Sequence, residues 1–297
     1  MGLKAIYDVS APAKLNLFLH VVGRRNDGYH LLQSVFALID WCDTLHFERR
    51  DDDRLSRHDL GAVLPQDDLC LRAARLLQSE SGTAAGADIS IDKQVPWGAG
   101  LGGGSSDAAT TLIALNRLWN LNWPRERLLS LGLRLGADVP FFIGGNNAWV
   151  EGVGEKLTPI ELVPRRWAVV KPAATVSTAA IFASPHLVRN TAAATLSDFA
   201  ADPLGFGRND LQESAKAHCS EVGEALALLR GHYGASRMSG SGSAVFADAG
   251  SGDAPSAGTI EAKVTTPVEL EAMALPPSWV GRICRGLTRH PLVDWSD

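Results

Sequence analysis

Apolar residues fall on alternate positions between residues 13 and 21: Ala13, Leu15, Leu17, Leu19 and Val21 take one face of an extended strand, and Lys14, Asn16, Phe18 and His20 take the other. The composition of that second face favours solvent, although Lys and Asn two positions apart also suit the wall of a site. Asn26-Asp27-Gly28 is turn chemistry, so Tyr29 and His30 open a return strand that runs to Asp40. A further strand is expected over residues 40–53, with Leu45 and Phe47 alternating before the charged turn Asp51-Asp52-Asp53. A helix follows over residues 69–77, capped by Asp67 and Asp68 and closed by Gly82. Residues 87–92 then alternate again as a strand.

That strand leads into Pro96-Trp97-Gly98-Ala99-Gly100-Leu101-Gly102-Gly103-Gly104-Ser105-Ser106-Asp107. Glycine at this density costs backbone entropy, which a close approach to the backbone would justify. Ala108, Leu112, Leu115 and Trp119 recur at helical spacing, with Ser105, Ser106 and Asp107 as candidate caps. Strand, glycine loop and helix N-terminus form an arrangement suited to phosphate, because unpaired amides and the helix dipole converge there. Gly98, Gly100 and Gly103 fit a dinucleotide fingerprint, but the preceding strand is half polar and no acidic residue ends a following strand. Gly104-Ser105 lacks the lysine of a Walker loop, and the His-Arg-Asp and Asp-Phe-Gly tripeptides of protein kinases do not occur. A glycine-rich turn without ligand is the alternative.

Residues 124–135 read as a second amphipathic helix ended by Gly136. Pro140 is expected to hold Val139 extended and so to place Asp138 at a helix-to-strand corner. Prolines at 159 and 164 mark a boundary, after which residues 167–171 form a strand and Ser177-Thr178 caps a short helix with Ile181 and Phe182. A single long helix is expected over residues 211–230, then a small loop, Gly240-Ser241-Gly242, leading into an apolar strand that ends at Phe246. Residues 249–266, rich in Gly, Ala and Ser, read as a flexible insertion.

Composition narrows the partners. The 297 residues carry a net charge of −5, with a sequence pI near 5.9, so the basic field of a nucleic-acid binder is missing. The four cysteines are dispersed, without a C-x-x-C pair, which suits a reducing compartment and default roles as buried apolar groups. No stretch has transmembrane length, and a soluble, cytoplasmic protein is expected.

Three separated stretches, residues 12–17 (Pro-Ala-Lys-Leu-Asn-Leu), 27–30 (Asp-Gly-Tyr-His) and 96–106, together resemble the GHMP small-molecule kinases. The similarity is strongest to members that act on a cytidine diphosphate-linked methylerythritol in non-mevalonate isoprenoid synthesis. The resemblance implies an α/β (α+β) fold of two parts, residues 1–160 with a mixed sheet and 161–297 as an α/β sandwich, with the active site in the cleft between them. It implies ATP and Mg²⁺ as cofactors, a small-molecule substrate, no nucleic acid or membrane partner, and a monomer or homodimer. By the same resemblance Lys14 and Asp138 are catalytic, and Asn16, Tyr29, His30, Thr178 and Phe182 bind substrate. Pro96, Trp97, Gly98, Ala99, Gly100, Leu101, Gly102, Gly103, Gly104, Ser105 and Ser106, with Gly240, Ser241 and Gly242, take the nucleotide. Asp68 stands where these kinases are expected to carry Asn. A kinase for homoserine or a mevalonate derivative, and a nucleotide-binding protein without catalysis, are the alternatives.

Overall fold

The computed structural model describes residues 2–251 and 273–295. Most of the insertion expected at 249–266 lies outside the described residues. The chain opens with a long antiparallel hairpin of β1 (Ala5–Arg24) and β2 (His30–Arg50), turning at Asn26-Asp27-Gly28. Where two strands were expected after the turn, β2 is one continuous strand, because three partners share its length. β1 pairs along it, β4 (Gly86–Asp92) takes Thr44 to Arg50, and β5 (Ala148–Glu151) takes Ser34 to Phe36.

The first sheet runs β3-β4-β2-β5-β6, with β3 (Leu55–Asp59) parallel to β4, β6 (Lys156–Pro159) at the far edge and β1 laid on β2. Four helices cover it: α1 (Leu69–Ser81), α2 (Gly103–Leu118), α3 (Arg125–Leu135) and α4 (Val139–Gly144). Helix α2 is buried on nearly every side, against α1, α4 and the hairpin, and Leu112, Leu115 and Leu118 are fully inaccessible. Truncating any one of them to Ala should cost about 2–5 kcal/mol. The second sheet is antiparallel, in the order β10-β7-β9-β8: β10 (Val280–Arg285), β7 (Arg165–Lys171), β9 (Val245–Ser251) and β8 (Arg237–Met238).

α5 (Thr178–Ala183) follows β7 and is capped by the Ser177 hydroxyl, and α6 (Leu196–Ala201) begins with a capping box from Thr195. The long helix expected after residue 211 is two, α7 (Gln212–His218) and α8 (Ser220–Tyr233), because Cys219 is extended and ends the first. After β10 the chain returns to the first sheet: Leu287 N–H donates to Leu38, His290 N–H donates to Gly145, and Leu292 is buried in the core under α2. The four cysteines are free thiols. Among the described residues no helix is long and apolar enough to cross a membrane.

The alternation read along residues 13–21 breaks in the middle. A bulge between Asn16 and Leu19 puts Leu17 and Phe18 in the same core, with Ala13, Leu15, Trp167, Val169 and Phe246 between the two sheets. Leu19 and Val21 pass instead to the core of the second sheet, with Val170, Leu211 and Leu226. One extra residue in a strand exchanges the faces that follow it, and the irregularity leaves no mark in the apolar pattern.

Candidate active site

The second face of β1 does not meet solvent. Lys14 and Asn16 are only 3% and 1% exposed, because the glycine loop and the loop before β9 close over them. Lys14 N–H donates to Leu101 O, and Asn16 N–H donates to the Ser239 hydroxyl, which in turn donates to Gly100 O. Ser239 thereby ties β1 to both loops, a role its place just before the glycines of the small loop does not announce. The loops are also joined directly, Ser243 N–H to Gly98 O and Ala244 N–H to Ala99 O. Gly100, at φ +74°, packs so tightly that an added Cβ would sit 2.2 Å from Ser239 O.

Helix α2 starts earlier than expected. Its N-cap is Gly102, at φ +73°, and no side chain caps it, so Ser105, Ser106 and Asp107 lie inside the helix and cannot be its caps. The amides of the first turn are left to solvent or to a ligand, and no acidic residue occupies that turn. Asp107 has other work. Its carboxylate lies 2.6 Å from Lys93 Nζ, which also bonds Asp43, and Asp43 accepts from the amides of Gln94 and Val95. This buried arrangement clamps the chain as it enters the loop. It unites residues far apart in sequence, which is why no spacing announced it.

Asp138 corrects another expectation. Pro140 sits in the first turn of α4, where its missing N–H leaves nothing unpaired, and Val139 is helical rather than extended. Asp138 is the N-cap, in right-handed helical geometry, and its side chain makes no capping bond. The carboxylate lies 3.6 Å from Lys14 Nζ. Lys14 Nζ also donates to Asn16 Oδ1 at 2.5 Å and lies 4.5 Å from the centre of the Phe36 ring. Burial pushes the Lys14 ammonium below its ordinary range, and Asp138 opposes that shift.

These groups line a cavity of about 300 Å³ that gathers Lys14, Asn16, Gly98, Gly100, Gly102, Asp138, Thr178, Phe182, Gly240, Ser241 and Gly242. Thr178 and Ser241 share a 2.7 Å hydroxyl contact across it. Ser34 and Phe36 also line it and were not foreseen, as was Asn209, which holds the carbonyls of Met238 and Gly240 from behind. His30 reaches the cavity through Phe182, on which it stacks at 4.9 Å. Tyr29 is 65% exposed on the hairpin turn and does not line the cavity.

Pro96, Ala99, Leu101, Gly103, Ser105 and Ser106 also stand back from the cavity wall. Trp97 and Gly104 face a neighbouring hollow of about 180 Å³, with Asp68, Lys93 and Asp107. There Asp68 caps α1 through Leu71 N–H and pairs with Arg57 at 3.0 Å, so its carboxylate is already committed. A larger hollow of about 580 Å³, lined by apolar residues such as Leu17, Leu162, Phe199 and Leu204, holds none of the residues named above for catalysis or binding.

The chain matches the GHMP kinases N terminal domain over residues 68–146 and the GHMP kinases C terminal domain over 191–258. It is 72% identical to a 4-diphosphocytidyl-2-C-methyl-D-erythritol kinase of Methylibium petroleiphilum over the full length of both chains. A crystal structure of 4-(cytidine 5'-diphospho)-2C-methyl-D-erythritol kinase superposes with a TM-score of 0.70 at 37% identity, covering 81% of this chain and 89% of that one. Homoserine kinase from Cytophaga hutchinsonii shares the fold, with a TM-score of 0.65 at 15% identity over 97% of this chain and 96% of its own.

Proposed function

The chain belongs to the GHMP kinases, within the 4-diphosphocytidyl-2-C-methyl-D-erythritol kinases, and from that membership we propose that it transfers the γ-phosphoryl group of ATP to the 2-hydroxyl of 4-diphosphocytidyl-2-C-methyl-D-erythritol, a step in isoprenoid precursor synthesis. The observation that carries the chemistry is the Lys14–Asp138 pair, 3.6 Å apart at the mouth of the glycine loop.

Phosphoryl transfer asks for little covalent chemistry from a protein. It needs an aligned alcohol, stabilised phosphate charge and a place for the proton. In this reading Asp138 accepts the proton of the 2-hydroxyl as its oxygen attacks the γ-phosphorus, and the bond to the β-phosphate oxygen breaks, releasing ADP. Lys14 faces both carboxylate and phosphate, so it holds Asp138 ionised and stabilises charge on the transferring group. The Asn16 side chain is fixed between Lys14 and Ser34, which suits it to orient the alcohol. The unsatisfied amides of the first turn of α2, beside the hollow that Gly104 lines, and the loop at Gly240 to Gly242 on the cavity wall suit the two ends of a triphosphate. Phe182 and His30 form the base end of the cavity, with Thr178 between them and the phosphates and Tyr29 at the rim.

Among the described residues no cluster of three or more His, Cys, Asp or Glu could hold a metal, and Asp138 is the one carboxylate among the residues lining the cavity. That donor set fits a Mg²⁺ held mainly by phosphate oxygens and water, with Asp138 and the Ser241 hydroxyl as protein oxygens. Such an ion would neutralise charge on the triphosphate. We read the chain as two units divided near residue 160, between β6 and β7, with residues 286–295 packed back on the first.

The test is turnover by the purified protein with ATP and each of three acceptors. Formation of ADP and a new phosphate monoester with the cytidine substrate, and not with homoserine or mevalonate, is expected. Turnover of either simpler alcohol in preference to the cytidine substrate would contradict the reading.

A further inference from the structure

Arg189 lies between α5 and α6 and plays no part in the scheme above, yet it spends its guanidinium on the base end of the site. Nε–H donates to His30 Nε2 at 3.1 Å. Its terminal nitrogens donate to the carbonyls of Leu187, Phe182 and Ser184 at 3.0, 2.9 and 2.9 Å. One cation therefore joins the hairpin turn to the end of α5, on either side of the stacked His30–Phe182 pair.

The direction of the first bond matters. A guanidinium has only donors and keeps its proton, so the His30 nitrogen it meets must present a lone pair. The imidazole is then neutral and its remaining proton sits on Nδ1. Burial, Arg189 and Arg24 all hold His30 below its ordinary pKa, in keeping with a neutral ring. Among the described residues no hydrogen bond is made by Nδ1, so that N–H is not committed within the fold.

Resting on the kinase reading, we propose that Arg189 is a positioning residue that fixes His30 as its Nδ1–H tautomer and thereby selects a cytosine over a uracil ring. Cytosine carries a bare N3 acceptor, which an N–H donor aimed there satisfies, whereas O2 accepts in both bases and does not tell them apart. Uracil carries N3–H, so the same donor meets a donor and one buried polar group goes unpaired. A histidine free to change tautomer could serve either base. Discrimination from a site built to hydrogen-bond one edge is a larger effect than shape alone provides.

The experiment uses the full chain labelled with ¹⁵N-histidine, with His30 assigned by the signals lost in His30→Asn. At neutral pH the nitrogen shifts and two-bond couplings are expected to show Nδ1–H in the native protein and a population led by Nε2–H in Arg189→Met. In parallel, Arg189→Met should lower the ratio of kcat/KM for the cytidine substrate over its uridine analogue by about tenfold or more, with KM for ATP unchanged. Arg189→Lys cannot bond Nε2 and three carbonyls at once, and it gives the same two readouts should the Met variant fail to fold. Nε2–H in the native protein overturns the proposal, as does an unmoved tautomer and base preference in a folded Arg189 variant. Nδ1–H in a native protein that phosphorylates neither nucleoside substrate would instead contradict the kinase reading, and the base preference with it.

Discussion

The two ends of the cavity are built differently. At the end we assign to the alcohol, Lys14 and Asn16 project from the middle of the β1–β2 hairpin, almost wholly buried and bonded to Asp138, Ser34 and Ser239. At the end we assign to the base, His30 and Phe182 are only partly buried, on a strand terminus and a six-residue helix, and Tyr29 stands 65% exposed beyond them. Side chains fixed by a sheet interior hold geometry to the tolerance that chemistry demands, while a turn and a short helix can adjust around a ring. Changes at the first end should therefore be read in kcat, and changes at the second in KM for the nucleoside substrate alone.

The largest effect should come from the alcohol end. Lys14→Met removes a buried cation 3.6 Å from the Asp138 carboxylate, and on the proposed mechanism turnover should fall by about 10²–10³ with little change in KM for the cytidine substrate. A steady-state series in both substrates checks this, and a pure KM effect would erase the contrast. Next, Gly100→Val places a branched side chain against Ser239 O at positive φ, so the two glycine loops must separate. ATP affinity, measured by calorimetry, should fall at least about tenfold and substrate affinity much less.

Phe182→Ala sharpens the other side of the contrast. Loss of an aromatic platform is expected to raise KM for the cytidine substrate by roughly 1–3 kcal/mol, with kcat nearly preserved. Tyr29→Ala should do the same more weakly, because the exposed ring has no fixed face against the cavity. A Tyr29 effect larger than that of Phe182 would move the base platform to the hairpin turn.

The smallest effect lies outside the site and serves as its control. His290 is buried, its Nδ1 accepts from Leu292 N–H, and burial followed by Arg125 lowers its pKa from 6.5 to about 4. The fold favours the neutral ring. Its contribution to stability is therefore complete above pH 6.5 and is lost as pH falls from there toward about 4. Chemical denaturation should show roughly 2 kcal/mol of lost stability between about pH 7 and pH 5 that is missing in His290→Asn, whose amide oxygen can still accept from Leu292.

Much of this was legible because it is local. Turn residues announced the hairpin, Asp68 and Gly82 bounded α1, and glycine density announced the loop and the helix behind it. What stayed hidden depends on partners distant in sequence. The bulge after Asn16 exchanges faces without altering the apolar pattern, and β2 is unbroken because β4 and β5 supply its pairing. Cys219 divides a continuous amphipathic stretch by its backbone conformation alone. Pro140 gave the wrong local geometry at Asp138, since a proline in a helix's first turn and one that keeps a strand extended look alike in sequence. The Lys93 clamp and the Arg189 bridge to His30 needed coordinates to be seen.

Asp138→Asn tests the division between the two ends most directly, by combining binding of the cytidine substrate with single-turnover phosphoryl transfer on one preparation. The amide keeps the shape of the side chain but cannot accept the alcohol's proton. The account predicts substrate affinity within about twofold of native, an unchanged melting temperature, and a transfer rate lower by about 10²–10⁴. A well-folded Asp138→Asn protein that transfers phosphate at a near-native rate would contradict it.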